Sequence, residues 1–134
     1  MTTEDPGPGP EAVRHVLERV FSEVWNYGRL DVLDQVLDEQ FVAHGARDDE
    51  STKEALKTRV VQRRSELPNL RYVVHRVIVE GCWAATLWTG RGTPTGGFDM
   101  AGKGPQHFWG ITIWRFTGSR IAEAWVLGDE ASPG

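Results

Sequence analysis

The spacing of the apolar residues changes once along this chain and does not change back. Up to about residue 66 they recur at intervals of three and four; beyond Leu70 they alternate. Val13, Val16, Leu17, Val20, Phe21, Val24 and Trp25 form one stripe over Glu11 to Asn26, with Arg14, Glu18, Arg19 and Glu23 opposite. Gly28 ends this helix, because glycine takes positive φ without strain. Leu30, Leu33, Val36 and Leu37 predict a short second helix. Phe41 to His44 reads as a short extended piece, and Arg47 to Glu50 as a polar loop. Ser51 and Glu54 have the spacing of a capping box, opening a third helix that runs from Thr52 to Glu66 and is stopped by Pro68.

The alternating half predicts a hairpin, Tyr72 to Val79 and Trp83 to Thr89, turning at Glu80-Gly81. Gly90 to Gly104, rich in Gly, Pro and Thr, is a long connection. His107 to Phe116 and Ile121 to Leu127 predict two more strands around the turn at 117–120. Helices first and then about four long antiparallel strands give an α+β fold, with the helices on one face of one sheet. A strongly curved sheet with helices across its open side leaves a concave space, the usual place for a small-molecule site. The 134 residues suffice for one domain, expected over 11–130, with Met1 to Pro10 and Ala131 to Gly134 as tails.

A net charge of −4 argues against a nucleic-acid surface, and the richest basic stretch, Arg59 to Arg64, reads as a solvated helix face. No apolar run approaches the ~18 residues that cross a bilayer. The N-terminus has no basic-then-apolar pattern, so a cytoplasmic protein is expected. The single cysteine, Cys82, reads as a buried small hydrophobe. No metal is expected, since no histidine pair has helical ligand spacing and no Cys-x-x-Cys occurs. No cofactor is expected either, since Gly90, Gly92, Gly96 and Gly97 lack a strand-to-helix context and no Gly-x-Ser-x-Gly elbow is present.

Tryptophan is the unusual residue: six, against two tyrosines. Each indole N–H needs a partner when buried, so Trp88, Trp109, Trp114 and Trp125 are costly to bury together. A pocket for a flat, hydrophobic ligand would use several of them. Trp109 and Trp114 have opposite strand parity, so at most one of the two faces that pocket. Asp129 follows the last strand, where a neighbouring aromatic group would raise its pKa toward a value useful in a base. Of four histidines, His15 lies on a polar helix face and His75 sits mid-strand. His44 and His107 are the plausible pocket groups.

Several segments together resemble the SnoaL-like polyketide (ester) cyclases. FSEVWNYGRLDVLDQVLDEQFVAHG is similar to their opening helices, WTGRGTPTGGF, ending at Phe98, to a central strand and loop, and GITIWRFTGSRIAEAWVLGD to their closing hairpin. The resemblance covers about residues 11 to 130. It implies the cone-shaped α+β barrel shared with nuclear transport factor 2 and ketosteroid isomerase. It also implies ring closure by intramolecular aldol condensation without metal or cofactor. Asp129, four residues beyond Trp125, matches the base of that chemistry. Arg115 lies nearest the position of an enolate-stabilising group, and His44 matches a recurrent histidine after the second helix; His107 is a further electrophilic candidate. Trp25, Trp88, Trp109, Trp125 and Phe98 are the expected substrate contacts. The chain departs from the pattern in carrying Glu123-Ala124-Trp125 where Glu-His-Trp is common, in a shorter loop between Phe98 and Lys103, and in the bulk of Trp109 and Trp114.

The expected activity is therefore that of a cofactor-independent cyclase or isomerase of polyketide biosynthesis, acting on a hydrophobic small molecule as a homodimer. One alternative is an epoxide-opening hydrolase or cyclase on the same fold. Its limonene epoxide hydrolase-type triad is absent, since Leu127 stands where an aspartate is needed and Arg-x-Asp occurs off the strands. The other is a non-catalytic, dimeric small-molecule-binding module.

Overall fold

The structure is a computed structural model and describes residues 7–45, 50–94 and 104–128. Helix α1, Pro10–Arg19, starts with Pro at its first position, where a missing N–H costs nothing. It continues without a break as a π-helical stretch, Val20–Trp25, which the regular period of the sequence does not announce. The wider turn lets consecutive Val20 and Phe21 both bury, and Asn26 N–H closes it on the Phe21 carbonyl at 3.0 Å. Gly28, at φ 74°, ends the segment against the Arg64 side chain.

Helix α2 spans Asp31–Val36, and α3 spans Lys53–Glu66. Thr52, one residue later than the capping-box pattern suggests, caps α3 by accepting from Ala55 N–H at 3.2 Å.

Six strands follow the order β2-β1-β6-β5-β4-β3 in one open sheet. They are β1 Leu37–His44, β2 Glu50–Thr52, β3 Arg71–Glu80, β4 Trp83–Gly92, β5 Gln106–Thr117 and β6 Arg120–Gly128. The four long strands expected from the sequence are β3 to β6. Two shorter strands extend this sheet: β1, which contains the extended piece read at Phe41 to His44, runs parallel to β6, and β2 pairs with β1. Leu37 opens β1 instead of closing the second helix. Its apolar residues bury at Leu37 and Phe41 with polar residues between, so no alternation marks the strand.

Helix α1 packs on β3 at one edge, and α3 packs on β1 and β2 at the other. The sheet thus curls around the helices. Its inner face carries Thr86, Trp88, Phe108, Thr112, Trp114, Phe116 and Ile121, all buried. Every second residue along β4 and β5 is buried, so each strand turns one face to the helices. Asn26 ties the end of the first helical segment to the sheet, with its side chain exchanging two hydrogen bonds with the Tyr72 backbone, at 3.1 and 2.7 Å. Cys82 is buried beside the β3–β4 turn.

Candidate functional site

The inner face is filled by aromatic rings. Trp114 Nε1–H donates to Thr86 Oγ1 at 3.0 Å, and Trp88 Nε1–H donates to Thr112 Oγ1 at 2.9 Å. The two threonines are fully buried, and Thr86 reaches the Thr112 carbonyl at 3.5 Å. Two indoles therefore bury at little polar cost without any ligand, because hydroxyls on neighbouring strands meet them. Tyr72 packs edge-on against Phe21, Trp25, Trp88 and Phe108. Arg63 of α3 lays its guanidinium over Phe108, 4.6 Å from the ring centre.

Of the expected substrate contacts, Trp25 is half-buried at the end of the π-helical stretch and Trp88 is in this core. Trp109 lies on the other face of the sheet, half exposed, whereas Trp114 is buried, as their opposite parity requires. Trp125 is also on the outer face, stacked on the His44 ring at 5.2 Å and tilted against Trp83 at 5.6 Å. Phe98 and Asp129 lie outside the described residues. Asp129 is bonded to Gly128, which pairs with Gly110. A Cβ at Gly110 would sit 2.3 Å from the Trp88 ring, and one at Gly128 3.4 Å from it. Glycine at both positions lets the indole lie against the backbone where β6 ends.

The catalytic candidates divide into two places. His44 and Arg115 come together on the outer face around Glu123, a residue not singled out in the sequence. His44 Nε2 is 2.6 Å from Glu123 Oε2, and Arg115 donates to Glu123 Oε1 through Nε and one terminal nitrogen, at 3.2 and 3.0 Å. Glu50 stands 3.4 Å from His44 Nδ1. Burial opposes ionisation of Glu123, but the His44 and Arg115 hydrogen bonds and charges outweigh it and hold the carboxyl below its usual range. Arg115 thus spends its fork on a carboxylate and faces away from Trp114.

A carboxyl held low when folded stabilises the fold at pH values above its unfolded pKa, and that stability is lost as pH falls through the lowered value. Glu123→Gln should therefore flatten the acid limb of thermal stability between about pH 6 and about pH 3. Melting curves across that range check it; an unchanged limb would show that the cluster contributes nothing.

His107 is exposed at the other end of the sheet. There β3, β4 and β5 end in two adjoining clefts. One, of about 450 Å³, is lined by Arg71, Val73, Thr89, Gly90, Arg91, His107, Phe108 and Trp109. The other, of about 490 Å³, shares Arg71 and Arg91 and adds Asn69, Leu70, Gly92, Thr93 and Pro105. The two arginines escaped the sequence reading; only the strand register, which places Arg71 opposite Arg91 and Arg91 opposite His107, reveals them. Among the described residues no group of His, Cys, Asp or Glu is arranged to hold a metal ion, and no helix is long and apolar enough to cross a membrane.

A helical layer inside a curled sheet, with aromatic rings between and polar groups at the strand ends, defines the α+β fold of small cone-shaped enzymes and binding proteins. The SnoaL-like polyketide cyclase family model matches residues 15–133, and the chain belongs to that family. Solved structures agree on the fold. TsrD of Streptomyces laurentii superposes with a TM-score of 0.78 at 20% identity, over 90% of this chain and 90% of that one. A candidate SnoaL-like polyketide cyclase from Jannaschia sp. CCS1 gives 0.77 at 20% identity, over 94% and 91%. IdmH of Streptomyces antibioticus, a candidate polyketide cyclase, gives 0.77 at 20%, over 87% and 91%. No curated protein matches.

Proposed function

We propose that this protein is a cofactor-independent cyclase or isomerase of polyketide-type natural products, with Asp129 as its general base. The observation that carries the reading is the family match, which runs through the closing hairpin and past Asp129. Local geometry supports it. Gly128 pairs with Gly110, next to the cleft residue Trp109, so the end of β6 adjoins an open cleft with aromatic walls. A carboxylate beside an aromatic group loses hydration and gains basicity. It removes a proton from a carbon between two carbonyls, and the resulting enolate attacks a second carbonyl of the same molecule. Because Arg115 is engaged with Glu123, the enolate oxygen falls to the donors at the cleft, of which His107 is one.

The first step is testable without knowing the natural substrate. A β-keto ester incubated with the protein in D2O should exchange its central protons faster than in buffer alone, and Asp129→Asn should remove the excess. Exchange no faster than buffer for a panel of such esters would overturn the reading. The filled inner face favours a second one, a binding module without turnover, which predicts ligand binding but no exchange.

The working unit is a homodimer formed through the outer face of the sheet. Leu87, Ile111 and Leu127 lie in one cross-strand row, Ile113 is in the next, and all four are exposed. An apolar face of this kind is the signature of an interface. Ile113→Asp should weaken association by about 2 kcal/mol or more and shift sedimentation toward the monomer. A wild-type chain that sediments as a monomer at every concentration would sink this assembly.

A further inference from the structure

We propose that the cleft at the ends of β3, β4 and β5 binds a planar organic oxyanion, held by Arg71 and Arg91 with its ring against Trp109. Arg71 and Arg91 are direct partners in the β3–β4 ladder, which puts their Cβ atoms roughly 5 Å apart. Like charges facing across a strand pair repel. Neither guanidinium has an ion pair or hydrogen bond among the described residues, and no described residue lining either cleft is acidic. This is unexpected in a chain of net charge −4, where carboxylates outnumber basic groups. Elsewhere among the described residues charged groups meet a partner: Lys57 with Asp34 at 2.8 Å, Arg19 with Glu23 at 2.9 Å, Arg115 with Glu123 at 3.0 Å.

The remaining walls specify more than charge. Trp109 is 51% exposed in the single chain and lies one row beyond the Leu87–Ile111–Leu127 row proposed to pair in the dimer, where its ring borders the cleft. It lies in the outer-face row next to the arginines, opposite Thr89, so an anion between the arginines leaves its ring over the indole. Thr89 Oγ1, 2.8 Å from His75 Nε2, supplies a hydroxyl in the same wall. An oxyanion placed between the two arginines turns mutual repulsion into shared attraction, and a flat ring covers Trp109.

Carboxylate and phosphate monoester share this chemistry. If the cyclase reading is right, on which the substrate assignment alone rests, the ligand is a substrate bearing such a group on its unsaturated chain.

The test is calorimetric titration of the full chain with 2-naphthoate, 2-naphthyl phosphate and the neutral methyl 2-naphthoate. The two anions should bind and the ester should bind at least about ten-fold more weakly; the tighter anion fixes the head group. Arg71→Gln and Arg91→Gln should each weaken anion binding by about ten- to a hundred-fold, and Arg91→Lys by less. Trp109→Leu should weaken anion and ester alike. The ligand-free glutamine variants should melt no lower than wild type, because their loss relieves repulsion; a merely structural arginine would lower the melting temperature. Sedimentation of each variant confirms that oligomeric state is unchanged. Equal affinity for acid and ester, or anion affinity untouched in both glutamine variants, would overturn the site. Asp129→Asn, which removes a negative charge beside the cleft, should bind 2-naphthoate at least as tightly as wild type does. An exchange-inactive protein that still selects the anion would therefore remove the cyclase reading and leave the site standing.

Discussion

Asp129→Asn is expected to lower the rate of ring closure by about 10²- to 10⁴-fold while leaving substrate affinity within a few-fold. Asparagine keeps the size and polarity of the side chain and cannot take a proton. The loss therefore falls on kcat, since the amide holds the ground state and fails in the transition state. The wild-type rate should rise with pH as the carboxyl ionises, and that acid limb should vanish in the variant. Asp129→Glu retains the base on a longer arm and should recover part of the rate. A variant that turns over within two-fold of wild type, with the same limb, would move the base elsewhere or leave the protein without one.

Trp114→Ala should cost about 3–5 kcal/mol of folding stability. The ring is buried, 6.1 Å from Phe21 edge to face, and its N–H closes the threonine ladder between β4 and β5. Total stability of a domain this size is about 5–15 kcal/mol, so the variant should stand near the edge of folding. Thr86→Val separates packing from hydrogen bonding. It keeps the shape, leaves the indole N–H without its acceptor and should cost about 1–3 kcal/mol, whereas Thr86→Ser should recover much of that. Urea denaturation of the three variants checks the order. If Thr86→Val is as stable as wild type, the ladder does not hold the indoles.

The long elements were legible because burial on one face leaves a period in the sequence. Val13, Leu17, Val20 and Val24 mark one helix face, and Ala84, Thr86 and Trp88 alternate with more exposed neighbours. What was not legible has a common cause. Strand β1 buries only Leu37 and Phe41 and borrows its pairing from β6, some eighty residues away, so no local pattern marks it. The His44–Glu123–Arg115 cluster is likewise assembled across three strands, and neither neighbour of Glu123 hints at it.

The aromatic count shows the same division. Six tryptophans say that something must receive their indole N–H groups and flat faces, and parity says that Trp109 and Trp114 part company. Only the fold decides the receivers: Thr86 and Thr112 take two N–H groups in the core, His44 stacks on Trp125, and Trp109 is left facing an open cleft. The sequence by itself determined the order of the long elements, the α+β layers and the family resemblance, since periodicity and local motif survive in one dimension. The tertiary structure alone decided which face of each strand is inward, and it put Arg71 beside Arg91 at a site that the linear chain separates by twenty positions. Register is a relation between distant segments, and a single residue of slip would have sent every one of these side chains to the opposite face.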